Sequence, residues 1–109
     1  MRSRNIKPDF FLNEDLAEVS HTARLLFIGL WCFADREGRF EWRAKRIQAA
    51  VFPYDDKIDI KKALAELEGK KFILSYGNEK EYGYILKFVK HQKPHPHEKP
   101  SILPKYQLP

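Results

Sequence analysis

The run Ala23–Ala34 is apolar at every position except Arg24 and Gly29. Leu25, Leu26, Phe27, Ile28, Leu30, Trp31, Cys32 and Phe33 go right round a helix, so no single stripe can be drawn. Such a helix is buried on several sides, and it falls short of the roughly 20 apolar residues a bilayer span needs. It predicts the central helix of the domain, capped by Ser20 and ending around residues 35–38. Gly29 in its middle predicts a close approach by a neighbouring helix.

Upstream, Asn13 is a good N-cap for a short helix over Glu14–Val19, whose first-turn acids Glu14 and Asp15 complement the helix dipole. Residues 1–12 carry Arg2, Arg4, Lys7, Pro8 and the pair Phe10-Phe11, which predicts an extended basic arm pinned by two rings.

Downstream, Arg39–Trp42 alternates as a short strand does. Ala44, Ile47, Ala50 and Val51 share one arc of a helix over Arg43–Val51, closed by Phe52-Pro53 and the turn Tyr54-Asp55-Asp56. Ile60, Ala63, Leu64 and Leu67 then fall at i, i+3, i+4 and i+7, the clearest amphipathic stripe, with Asp59 as N-cap and Gly69 as stop. Phe72, Leu74 and Tyr76 alternate, as do Tyr82, Tyr84, Leu86 and Phe88, around a loop at residues 77–80. They predict a hairpin. From residue 91 to 109, Pro94, Pro96, Pro100, Pro104 and Pro109 exclude regular structure and predict an extended tail. Ile102, Leu103, Tyr106 and Leu108 are spaced along it as anchors for this domain, a neighbouring subunit or another protein.

A long helix, short strand, helix, turn, helix and two-stranded hairpin, in that order, predict an α+β fold, mainly α with a small β-hairpin: a winged helix-turn-helix over residues 1–90, with the tail beyond it. A chain of 109 residues fits one domain. The lone Cys32 excludes an internal disulfide, and Met1–Asn13 lacks the apolar segment of a signal peptide, so a cytoplasmic protein is expected.

The net charge of +5 leans towards an anionic partner, but its distribution is uneven. Residues 55–69, the would-be recognition helix and its turn, hold three basic and five acidic residues. No Arg, Asn or Gln lies in Asp59–Glu68 to read bases. Basic residues lie instead on the preceding helix (Arg43, Lys45, Arg46) and around the hairpin (Lys70, Lys71, Lys80, Lys87, Lys90). That distribution suits backbone contact with double-stranded DNA at low sequence specificity. It suits equally a protein-interaction or oligomerisation module that does not touch DNA. The candidate DNA contacts are Arg43, Lys45, Arg46, Gln48, Lys57, Lys61, Lys62, Asn78 and Lys80, with Arg2 and Arg4 from the arm.

Ile6-Lys7-Pro8, Phe10-Phe11, Asn13–Ala17, Ala23–Trp31, Ala34–Gly38, Phe52–Asp55 and Lys90-His91-Gln92 resemble a family of small phage and prophage proteins. Those proteins are similar to the N-terminal winged-helix domains of phage replication initiators and DnaD-type primosome proteins. The resemblance implies a DNA-associated role in phage replication, with self-association as a homo-oligomer. The tail is also a candidate to recruit another replication protein, and no membrane partner and no cofactor are expected.

Enzyme chemistry has no motif behind it: there is no Gly-rich phosphate loop, no His-Glu-x-x-His and no Cys pair. The one metal-like constellation is His91, His95 and His97 with Glu98, and imidazoles are good ligands for zinc, nickel or copper. Pro94 and Pro96 stiffen this stretch and no further strong ligand is near, so no metal site is expected.

Overall fold

The computed structural model describes residues 1–107; the tail positions Leu108 and Pro109 lie outside the described residues. Three short polar side chains start three helices. Asn13 Oδ1 accepts from the amides of Asp15 (2.9 Å) and Leu16 (3.1 Å) and opens α2, Glu14–Ala17. Ser20 Oγ accepts from Ala23 N–H at 3.1 Å and opens α3, His21–Phe33. Asp59 Oδ1 accepts from Lys62 N–H at 3.1 Å and opens α5, Ile60–Gly69. Each cap satisfies amides that the first turn of a helix leaves without a partner.

The remaining elements are α1 (Asp9–Leu12), β1 (Arg39–Glu41), α4 (Ala44–Val51), β2 (Ile73–Tyr76), β3 (Tyr82–Ile85) and α6 (Phe88–His91). The fold is α+β, with helices packed on a three-stranded antiparallel sheet of order β1-β3-β2.

The core forms where α3 meets α4, α5 and the sheet. Ala23, Leu26, Phe27 and Leu30 of α3 are buried, with Ile47 of α4 and the complete α5 stripe of Ile60, Ala63, Leu64 and Leu67. A Cβ on Gly29 would stand 2.4 Å from Val51 Cγ1, so α4 reaches α3 at the glycine. Burial of α3 is not all-round, however: Leu25 is 54% exposed. At Leu25 no other described element covers the helix.

Several expectations need correction. Residues 1–7 form no helix or strand, but Pro8 opens the one-turn helix α1, since its fixed φ suits a first turn. The Phe10-Phe11 pair splits: Phe10 packs edge-on to Trp31 at 5.6 Å, while Phe11 is 73% exposed. α5 ends at Gly69 as expected, but the left-handed residue that closes it is Lys71 (φ 62°). Lys71 N–H bonds Glu68 O and Phe72 N–H bonds Leu67 O, each at 3.0 Å, which is a Schellman ending.

The hairpin differs most. Cross-strand pairs Phe40–Gly83 and Ile73–Ile85 lie on the helix side, where a Cβ on Gly83 would be 2.3 Å from the Phe40 ring. The aromatic set that alternates in the sequence, Tyr76, Tyr82 and Tyr84 with Leu74, therefore occupies the opposite face.

That second face is covered by the tail. Tyr76 Oη donates to Pro104 O at 2.6 Å, Arg39 donates to Leu103 O at 3.2 Å, and Tyr106 stacks on Tyr84 at 5.8 Å. Burial pushes the Tyr76 phenol above its ordinary range, so it remains a donor. The Ser101 hydroxyl donates to the Asp35 carboxylate. Nor does residue 90 divide the chain, because α6 runs across that position.

Candidate nucleic-acid interface

The candidate contacts fall into two neighbouring groups. In the first, Trp42 N–H donates to Glu81 O at 2.8 Å and ties the entrance of α4 to the foot of the hairpin loop. Exposed Arg43 and Arg46 therefore share one end of the molecule with exposed Asn78 and Lys80. Glu41 lies between the two arginines, at 3.8 Å from Arg43 and 3.3 Å from Arg46. Lys45 is exposed on α4 and has no ion pair among the described residues. In the second group, Lys57 lies in the turn, and Lys61 and Lys62 lie on the first turn of α5; all three are exposed.

Gln48 needs a different reading: its amide donates to Asp55 O at 3.1 Å, which joins α4 to the following turn. The negative count of the α5 segment also changes meaning. Glu66 accepts from Ser20 N–H (2.9 Å) and Oγ (2.7 Å), and Glu68 accepts from Ser75 N–H (2.6 Å) and Oγ (2.7 Å). Both carboxylates brace the far end of the helix, leaving Lys61, Lys62 and Ala65 as its exposed face.

Comparison with family models, curated proteins and solved structures returns no match.

Arg4 is not an arm contact. Its guanidinium makes two bonds to Glu98 (2.9 and 2.8 Å), donates to Trp31 O (2.9 Å) and Ala34 O (3.2 Å), and lies 5.1 Å above the Phe88 ring. Both charged side chains are almost enclosed, at 5% and 6% exposure. These bonds, with the nearby charges of Arg2 and Arg36, hold the Glu98 carboxyl below its ordinary range against the opposing effect of burial. Arg2 is half exposed and stands 3.8 Å from the same carboxylate, away from the α4–hairpin group.

The histidines do not converge. The rings of His95 and His97 are 5.2 Å apart, His95 Nδ1 accepts from His97 N–H at 3.1 Å, and Glu98 is engaged by Arg4. Among the described residues no three His, Cys, Asp or Glu side chains gather as a metal site. Nor is any helix among them long and apolar enough to cross a membrane.

The hairpin lysines also divide. Lys80 is at the loop, whereas Lys71 and Lys87 flank the opposite ends of strands about 13 Å long. With Lys7 they line a separate cleft, whose apolar floor no local sequence pattern announces.

Proposed function

We propose that this chain is a winged helix-turn-helix module that binds double-stranded DNA mainly through the phosphate backbone, in a replication-associated role of phage or prophage origin. The observation that carries the reading is the arrangement of α3, β1, α4, α5 and the β2–β3 hairpin around a β1-β3-β2 sheet, with Lys61, Lys62 and Lys80 exposed on the two parts that meet DNA in such modules. The resemblance of segments between residues 6 and 92 to small phage and prophage proteins, themselves similar to domains of replication initiators, supports the biological role.

In this reading α5 lies along the major groove with Lys61 and Lys62 towards phosphates, and the hairpin loop brings Asn78 and Lys80 to the adjoining backbone. Arg43, Lys45, Arg46 and Lys57 extend the cationic surface. The absence of Arg, Asn and Gln from Asp59–Glu68 gives little base reading, so affinity depends on counterion release.

The pairing of Glu41 with Arg43 and Arg46 favours a second reading, a protein-interaction or oligomerisation module without DNA contact. Binding to duplex and single-stranded DNA, measured between about 50 and 200 mM salt, separates the two. DNA binding requires a steep salt dependence, and Lys45→Glu or Arg46→Glu, by removing one cation from a phosphate, lowers the slope by about 0.9. No binding at low salt, with a defined oligomer by light scattering, selects the second reading.

A further inference from the structure

A cleft of about 530 Å³ opens between the α1–α2 segment, α3, the C-terminal end of α5 and the β3–α6 corner. Its volume lies in the range of roughly 300–1,000 Å³ usual for binding sites. Phe10, Phe27, Trp31, Phe72 and Phe88 form much of its floor. Their rings make an edge-on and tilted series: Phe10–Trp31 at 5.6 Å, Phe27–Trp31 at 5.2 Å and Phe27–Phe72 at 5.2 Å. Such a surface accepts another ring or a branched side chain at favourable angles.

The charges around it are asymmetric. Lys70, Lys71, Lys87 and His91 stand on the α5 and β3–α6 side, and Lys7, Asp9 and Asp15 on the N-terminal side. Lys70 is paired with Glu18, which leaves Lys71 and Lys87 as the cations facing the cleft from their wall. The two are brought together by strand pairing, since Leu86 N–H donates to Phe72 O at 3.1 Å.

The backbone at these lysines is unusual, a feature shared with Lys80 on the hairpin loop (φ 58°). Lys71 (φ 62°) and Lys87 (φ 61°) are both left-handed, a conformation for which glycine is the default. At the end of α5 the chain has a glycine two residues earlier, inside the helix, and a lysine at the position that favours one. Glycine would ease both positions. What lysine adds at Lys71 and Lys87 is a side chain at the rim.

We propose that the cleft docks an acidic peptide segment of a partner protein, with an aromatic or branched residue seated on the Phe10–Phe27–Trp31–Phe72 floor and flanking carboxylates paired with Lys71 and Lys87. Cations on two separate turns match carboxylates distributed along a chain better than the single head of a small anion. The site lies beyond the DNA reading: Lys61 is on the first turn of α5 and Lys71 follows its last residue, Gly69, so about 12 Å of helix separates them, and the two surfaces can be disabled separately.

The test uses the full chain with Trp42→Phe, so that Trp31 is the sole tryptophan reporter. The probe is a synthetic Asp-Asp-Asp-Leu-Phe peptide with a free C-terminus. Binding is expected as a saturable change in Trp31 emission. Lys71→Gly and Lys87→Gly are each expected to weaken it about fivefold, the scale of a charge-assisted pair, while the melting temperature holds or rises. A peptide with Ala-Ala for Leu-Phe, or with Lys for Asp, is expected not to bind. The proposal is overturned by no saturable change, by equal binding of the lysine peptide, by glycine variants that bind as tightly as the parent, or by 3-phenylpropionate binding as tightly as the peptide. Lys45→Glu/Arg46→Glu should leave peptide binding intact and the glycine variants should leave DNA binding intact, so either failure is assignable to one surface.

Discussion

On the helix side of the sheet, Phe40, Ile73 and Ile85 meet the helical core as buried apolar surface, and Gly83 makes room for a ring. On the other side, Arg39, Tyr76 and Tyr84 hold residues 103–106 through two carbonyl bonds and a ring stack. Both faces are covered, but by different physics. The helix side relies on area removed from water and on close packing, which resists any change of volume. The tail side relies on a few directed contacts to a segment without regular structure, which can loosen while the rest stays folded. The proline-rich stretch is therefore expected to release before the helical core unfolds.

The largest expected effect comes from the helix side. Leu30→Ala removes a fully buried side chain and is expected to cost about 3 kcal/mol, lowering the urea midpoint of the whole domain. Glu98→Ala should follow at about 2 kcal/mol, because it strips Arg4 of its carboxylate but leaves the carbonyl acceptors of Trp31, Ala34 and Asp35. Its signature would be rapid amide exchange confined to the N-terminal segment and residues 98–106. Gly83→Ala is expected to cost a similar 1–3 kcal/mol, roughly, by overpacking against Phe40, with all probes moving together. If Glu98→Ala also moves all probes together, the two faces are one cooperative unit and the contrast fails.

Acid offers a gentler version of the same comparison. The Glu98 carboxyl lies below its ordinary value in the folded protein, so its contribution is full above the ordinary glutamate value of about 4.3. It is lost as pH falls through the lowered folded value. Tail amides are therefore expected to lose protection on acidification before α3 amides do; simultaneous loss would argue against tail release. The smallest effect is Tyr106→Ala, about 1 kcal/mol from the stacked pair, visible chiefly in tail exchange.

The helices are readable in the sequence because their signals are local. Asn13, Ser20 and Asp59 each cap the helix that follows them, and the α5 stripe is buried at all four positions. The candidate site is readable only as a set of charges. That Glu66 and Glu68 turn to Ser20 and Ser75, that Gln48 bonds Asp55, and that Arg4 meets a carboxylate 94 residues away depends on contacts without a sequence period. The exposure of Leu25 is of the same kind: composition predicts burial, but only the neighbours present decide which flank receives it.

By itself the sequence determined where α2, α3 and α5 begin, which stripe of α5 is apolar and that Gly29 marks a close approach, because caps, periodicity and side-chain volume act within a few residues. Only the tertiary structure decided which face of the sheet the tyrosines occupy, that the tail lies over them, and that lysines scattered through the chain divide between the α4–hairpin end and an aromatic cleft. Those outcomes depend on strand register and on pairings between distant segments, and the energy of such a pairing exists only once the chain has closed on itself.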